Sequence, residues 1–201
     1  MREELRAALR TVLAFSLGIV IGALARPEPS AVLPYAYLFL YLVVGAAGVY
    51  VGLSWRRLLG AGRRIAVRGL AFTASAIAGD IVAGLIIAVP LGLPLWLTVD
   101  AALGSGWYSF TGPFLSLFSA AMGVIGFVGN QLREDLTLAL FPLLKEIIGE
   151  GSVVMGGATS MDTTLGVITR YAGPEVGLEG MVQGVLLTLL IPVLLPAVAH
   201  M

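Results

Sequence analysis

The chain has 201 residues, 58% hydrophobic and 12% charged, and its basic and acidic side chains balance to a formal net charge of zero. With a mean hydropathy of +0.97, this excludes an ordinary soluble domain and gives no electrostatic basis for a nucleic-acid partner. The lack of cysteine removes disulfides, thiolate metal sites and thiol redox chemistry, and a lone histidine, His200, removes imidazole metal clusters and a serine–histidine couple within the membrane. The expected fold is an all-α polytopic membrane protein, a single transmembrane domain over 1–201.

Arg2, Glu3, Glu4, Arg6 and Arg10 lie around the start of an apolar run over 7–25. That run leads through Arg26-Pro27-Glu28-Pro29-Ser30 into another apolar run rather than into soluble sequence, so it reads as a retained span and not as a signal peptide. Gly18 and Gly22 have the spacing that lets helices approach closely, although glycine pairs are common in any membrane helix. A second span is expected over 33–54, enough at ~1.5 Å per residue to cross a core of about 30 Å. Tyr35, Tyr37 and Tyr41 lie toward one end and Trp55 at the other, as interfacial aromatics do. Arg56, Arg57, Arg63, Arg64 and Arg68 follow, and positive charge stays on the cytoplasmic side, so this loop and the N-terminus are both expected inside.

The third span, 65–91, carries Asp80 near its middle on one stripe with Gly69, Thr73, Ala76 and Gly84. A stripe of small and polar residues faces other helices rather than lipid. Asp80 is either a packing carboxyl hydrogen-bonded to a neighbouring helix or part of an ion or substrate path. Over 94–128 the apolar pattern is interrupted by Gly104-Ser105-Gly106-Trp107-Tyr108-Ser109-Phe110-Thr111-Gly112-Pro113, residues unsuited to a helix interior. The segment reads as two half-helices about an unwound centre, or as a re-entering half-helix followed by a span. No basic residue lies between Arg68 and Arg133, which leaves Asp80 and Asp100 without a cation nearby in sequence, and Asp100 is expected near the outer interface.

A fifth helix is expected over 131–148, opened by Gly129-Asn130-Gln131-Leu132-Arg133-Glu134-Asp135. Asn130 would cap it and Glu134 and Asp135 would suit its first turn, or these polar groups would flank a cytoplasmic opening. Gly149 suits its C-terminal end. The densest polar stretch follows: Gly156-Gly157-Ala158-Thr159-Ser160-Met161-Asp162-Thr163-Thr164-Leu165-Gly166-Val167-Ile168-Thr169-Arg170. Its apolar flanks are too short for separate spans, so 152–171 is taken as one crossing with a broken centre. A last span, 174–198, begins at Pro174 and is expected to kink at Pro192 and Pro196. The count is seven crossings, with the N-terminus cytoplasmic and the C-terminus outside the cell membrane.

Two broken segments in so apolar a chain point to a carrier, because unwound backbone and ionisable groups persist in a bilayer only where protein or a watery cavity surrounds them. Discontinuous helices present free N–H and C=O groups to substrate and coupling ions, and a zwitterionic amino acid suits that chemistry. The candidate site comprises Asp162 with Thr159, Ser160, Thr163 and Thr164 on one break and Trp107, Tyr108 and Ser109 on the other. Asp80, Asn130 and Glu134 are further polar candidates. No metal and no cofactor beyond a coupling ion is expected.

Gly106-Trp107-Tyr108-Ser109, then Asn130-x-Leu132-Arg133-Glu134, then Gly157-Ala158-Thr159-Ser160-Met161-Asp162-Thr163-Thr164-Leu165 through Ile168-Thr169-Arg170 together resemble the LysO lysine exporter family. The resemblance is strong from Trp55 onward and weaker over the first two spans. It implies export of L-lysine and toxic lysine analogues across the cell membrane, coupled to inward proton movement, with Asp162 matching an acidic residue important for transport. Full-length members begin with additional spans that carry another intramembrane acid. The chain is therefore expected to work as a homo-oligomer or with a separately encoded small membrane subunit. Two other readings stand beside it: a structural subunit, and an intramembrane aspartyl protease in which Asp80 and Asp162 share a proton.

Overall fold

The computed structural model describes residues 2–28 and 62–199, and between them residues 31, 34, 35, 38, 42, 45, 49, 52 and 53. Most of the expected second span, with Trp55, Arg56 and Arg57, lies outside the described residues. Those described form helices: α1 (Arg2–Ala25), α2 (Gly62–Leu91), α3 (Leu95–Leu103), α4 (Tyr108–Ser116), α5 (Ala120–Ile148), a 3-10 segment (Gly149–Met161), α6 (Leu165–Ala172) and α7 (Pro174–Ala199). Among them, α2 and α7 are long and apolar enough to cross a membrane.

α2 buries Ile65, Gly69, Thr73, Ala76, Asp80, Gly84 and Ala88, one residue per turn, which is the stripe its sequence foretold. The small side chains set how close its neighbours come. A Cβ on Gly69 would lie 2.6 Å from Val182 of α7, and one on Gly84 would lie 2.6 Å from the backbone of Val99 in α3. Away from the stripe, Val67, Leu70, Val82, Leu85, Ile86 and Val89 are exposed, the surface a helix turns toward lipid. α7 reads the same way: Gly177, Gly180 and Gly184 lie on its buried face, and the 3-10 segment and α6 fill the space they leave.

α5 differs from expectation. It is continuous from Ala120, where the Ser119 hydroxyl accepts the Met122 amide at 3.2 Å as an N-cap. Asn130 is therefore ten residues inside the helix and caps nothing; Glu134 and Asp135 are mid-helix rather than first-turn residues. Gly123 and Gly126, inside the piece assigned to the preceding span, are where α4 packs: Cβ atoms there would fall 2.7 Å from Ser116 and from Leu115. The other end behaves as read, with Gly149 at φ 64° sending its amide to the Lys145 carbonyl.

The contacts fix how the two interrupted stretches run. α3 lies antiparallel along α2, Val99 beside Gly84 and Ser105 beside Asp80. α4 lies antiparallel along α5, Gly112 beside Phe127 and Ser116 beside Gly123. Because α2 and α5 are themselves antiparallel, joined at Asp80–Arg133 and through Arg68–Glu150, α3 and α4 leave and return at the same end of the bundle. The 3-10 segment and α6 do the converse. They start beside Arg68 at Glu150 and return to the Arg64–Glu175 pair at the head of α7. Two hairpins thus enter from opposite ends and meet tip to tip.

Candidate functional site

The tips are Gly104–Trp107 and Gly156–Thr164. Ser105 (φ 50°) and Gly106 (φ 89°) turn the chain in the first, and Gly157 (φ 54°, ψ −129°) breaks the second. The Ala158 amide donates to the Ser105 carbonyl at 2.8 Å, joining the tips through backbone alone. A Cβ on Gly157 would lie 2.1 Å from that same carbonyl oxygen, so both the positive φ and the close approach require glycine.

Three side chains tie the tips to the long helices. Arg133 donates from Nη1 to Asp80 Oδ1 at 2.5 Å, from Nε to the Met155 carbonyl at 3.0 Å and from Nη2 to the Val154 carbonyl at 3.1 Å. Asp80 accepts the Ser105 hydroxyl on its other oxygen at 2.5 Å. One guanidinium and one carboxylate therefore join α2, α5 and both hairpins, each charge fully engaged as low dielectric demands. Asn130 completes the frame: its Oδ1 accepts the Gly106 amide at 2.7 Å, and its Nδ2 donates to the carbonyls of Ala101 at 2.9 Å and Gly126 at 2.8 Å.

The second tip holds the remaining polar groups. Thr159 donates to the Gly156 carbonyl at 2.8 Å and lies 3.4 Å from the Thr164 hydroxyl. Ser160 lies 2.6 Å from the Gly157 carbonyl and 2.7 Å from the Gly180 carbonyl, and it receives Gln183 Nε2 at 3.1 Å. Thr159, Ser160 and Thr164 are buried and their hydroxyls hold the bend. Asp162 and Thr163 are half-buried. Asp162 Oδ1 accepts the Thr163 amide at 2.6 Å and lies 3.3 Å from the Thr163 hydroxyl. Glu134 is buried on α5 beside Thr163 and Asp162. Among the described residues no arginine or lysine pairs with Asp162 or Glu134.

On the first tip, the backbone and Ser105 make the polar contacts described above, and Trp107 packs against the core cluster that includes Ala158. Trp107 stacks on Phe110 at 4.9 Å, Tyr108 meets Phe127 edge-on at 5.2 Å, and Ser109 is exposed. Asp100, expected near an interface, is fully buried in α3 with neither carboxylate oxygen hydrogen-bonded. Asp80 is occupied by Arg133 and Ser105, so it has no free oxygen with which to share a proton with Asp162, and the aspartyl-protease arrangement is not formed. A cavity of about 540 Å³ is lined by Leu132, Leu136, Ile148, Val154 and Met155 together with Arg133 and Thr137, and its wall is mostly apolar.

Arg133, Ser105 and Gln183 were not among the candidate site residues read from sequence. Arg133 had a signal, being the one basic residue between Arg68 and Lys145; a lone arginine in so apolar a stretch has an acidic partner. Ser105 and Gln183 carry no comparable mark.

These features define an all-helical membrane protein whose polar chemistry is gathered where two opposed hairpins meet. Residues 12–199 match the family described as Lysine exporter LysO, and the chain belongs to that family. It is 28% identical over 194 residues to the lysine exporter LysO of Escherichia coli, covering 96% of this chain and 63% of that protein. It is 30% identical over 183 residues to a Haemophilus influenzae protein provisionally described as a lysine exporter, covering 89% of this chain and 91% of that protein. The chain therefore spans less than two thirds of the length of the Escherichia coli relative. No solved structure matches it.

Proposed function

We propose that the chain carries out export of L-lysine and lysine analogues across the cell membrane by proton antiport, with the substrate held beside the second tip. The observation that carries this is that Asp162 and Glu134 both reach Thr163, two carboxyl groups that meet at one residue among hydroxyls, with no cationic side chain among the described residues pairing with either. Intramembrane acids of this kind mark ion and substrate paths. Two neighbouring carboxyls provide one position for an ammonium and one for a proton, so loading one cation disfavours the other, which is the requirement for exchange. α4 and α6 both begin at the tips, and their N-terminal amides suit the substrate carboxylate. Asp80 serves the frame instead.

In this reading α1, the second span, α2, α5 and α7 cross the bilayer, and the two hairpins each enter halfway. The arginine-rich end is cytoplasmic, the N-terminus inside and the C-terminus outside. The working unit is a homo-oligomer or includes a separately encoded small membrane subunit. Substituting Asp162→Asn tests the assignment: labelled-lysine exchange in proteoliposomes should be lost while insertion and thermal unfolding in detergent stay near wild type. Undiminished exchange would remove Asp162 from the site.

A further inference from the structure

The arginine-rich end holds a second cluster that the tip site does not use. Arg68 lies on α2 with its guanidinium carbon 5.5 Å from the centroid of Phe72. It pairs with Glu150, where the 3-10 segment starts, and with Glu179 of α7 at 3.4 Å. Its head thus has an aromatic face beneath it and a carboxylate from each of two other elements, a cage suited to a guanidinium or an ammonium. With Arg64 and Glu175 included, three carboxylates face two cations.

Glu179 is the informative member. It is 0% exposed, yet neither of its oxygens accepts a hydrogen bond, and its contact with Arg68 is an ion pair alone. One turn further along α7 toward the tips lies Gln183, also 0% exposed, whose Oε1 is likewise without a donor. Its Nε2 meanwhile donates to Gly157, Val153 and Ser160 of the second hairpin. Residues four apart on a helix are neighbours. Two successive turns of α7, at Glu179 beside Arg68 and at Gln183 beside the second tip, therefore each carry a buried acceptor lacking a donor. Unsatisfied buried acceptors are costly, and both suit a donor-only cation.

We propose that Phe72, Glu150 and Glu179 form an entry site for the cationic side chain of the transported amino acid, occupied in this structure by Arg68 as a tethered stand-in that substrate displaces. Arg68 also links the start of the second hairpin to α7, so displacing it frees the hairpin at its base when a cation has arrived to replace it. The substrate identity rests on the function proposed above; the cation site does not. Arg68 is long and partly exposed, so it can swing aside without moving a helix.

The test is ligand binding to the purified chain in detergent, read by thermal unfolding and by equilibrium binding of labelled L-lysine. Arg68→Ala vacates the cage. Methylguanidinium and L-lysine should raise its unfolding temperature more than they raise that of wild type. L-lysine should bind it about tenfold more tightly, and uncharged norleucine should do neither. Arg68→Ala with Glu179→Gln should lose the gain. Glu150→Gln, an isosteric change at a half-exposed position, should raise the KM for lysine exchange severalfold with little change in maximal rate. Cation responses no larger in Arg68→Ala than in wild type, with KM unchanged in Glu150→Gln, would overturn the site. A response to methylguanidinium without one to L-lysine would overturn its role in substrate entry. A site that responds in a protein unable to exchange lysine would instead refute the function proposed above.

Discussion

The Asp80–Arg133 pair gives the sharpest quantitative prediction, because it decides whether an acid in the middle of α2 is structural or transporting. At 2.5 Å, with side chains 10% and 22% exposed, the gross attraction at an effective dielectric near 20 is about 7 kcal/mol, much of it offset by desolvation. Removing one partner leaves the other charge buried, and Arg133→Ala also frees the Met155 and Val154 carbonyls, so a loss of about 3–5 kcal/mol is expected. Asp80→Ala should cost a similar amount. Asp80→Ala with Arg133→Ala should cost at least about 2 kcal/mol less than the sum, because neither variant charge is then stranded. The assay is a double-mutant cycle by reversible unfolding in mixed micelles, run beside lysine exchange on each folded variant. Additive losses would refute the pairing. Full stability in Asp80→Asn together with abolished exchange would refute the structural role assigned to Asp80.

Gly157→Ala should destabilise the protein by more than about 2 kcal/mol, since it meets both a positive φ and the Ser105 carbonyl, and hydrogen exchange at the Ala158 amide should accelerate. Asn130→Leu removes three hydrogen bonds and should cost about 2–3 kcal/mol in the same unfolding assay, with the Gly106 amide losing protection. Ser109→Ala, at an exposed position, should change stability by less than about 0.5 kcal/mol and leave lysine exchange intact. Unchanged exchange protection at Ala158 in Gly157→Ala would contradict the tip-to-tip junction.

The helices and their packing faces were largely legible. The α2 stripe from Gly69 to Gly84 repeats at helical spacing, and Gly149 and Pro174 mark boundaries by rules local to a few residues. The breaks at Gly104–Pro113 and Gly156–Gly166 announced themselves through glycine and hydroxyl residues among apolar ones. Their direction did not, because a chain that passes through a break and one that turns back at it have the same local pattern. Contacts between distant residues decide that: Gly84 against Val99 and Gly112 against Phe127 for the first break, Arg68–Glu150 and Arg64–Glu175 for the second. The start of α5 was misplaced because Asn130 followed by Glu134 and Asp135 has the local pattern of a helix start, whereas the cap is Ser119 and Asn130 is an interior residue. Asp80 looked unpaired because its partner is 53 residues away, and a search confined to sequence neighbours does not find Arg133. Asp162 and Glu134 were both named, but their adjacency comes from the hairpin turning back on α5.

The central claim is that the acid pair at the second tip moves lysine against protons. The most direct measurement is efflux of labelled L-lysine from proteoliposomes holding this chain, with and without an inward proton gradient, beside Asp162→Asn. The account predicts gradient-stimulated efflux that disappears in Asp162→Asn while the variant remains folded and inserted. Efflux that ignores the gradient, or persists in Asp162→Asn, would contradict it.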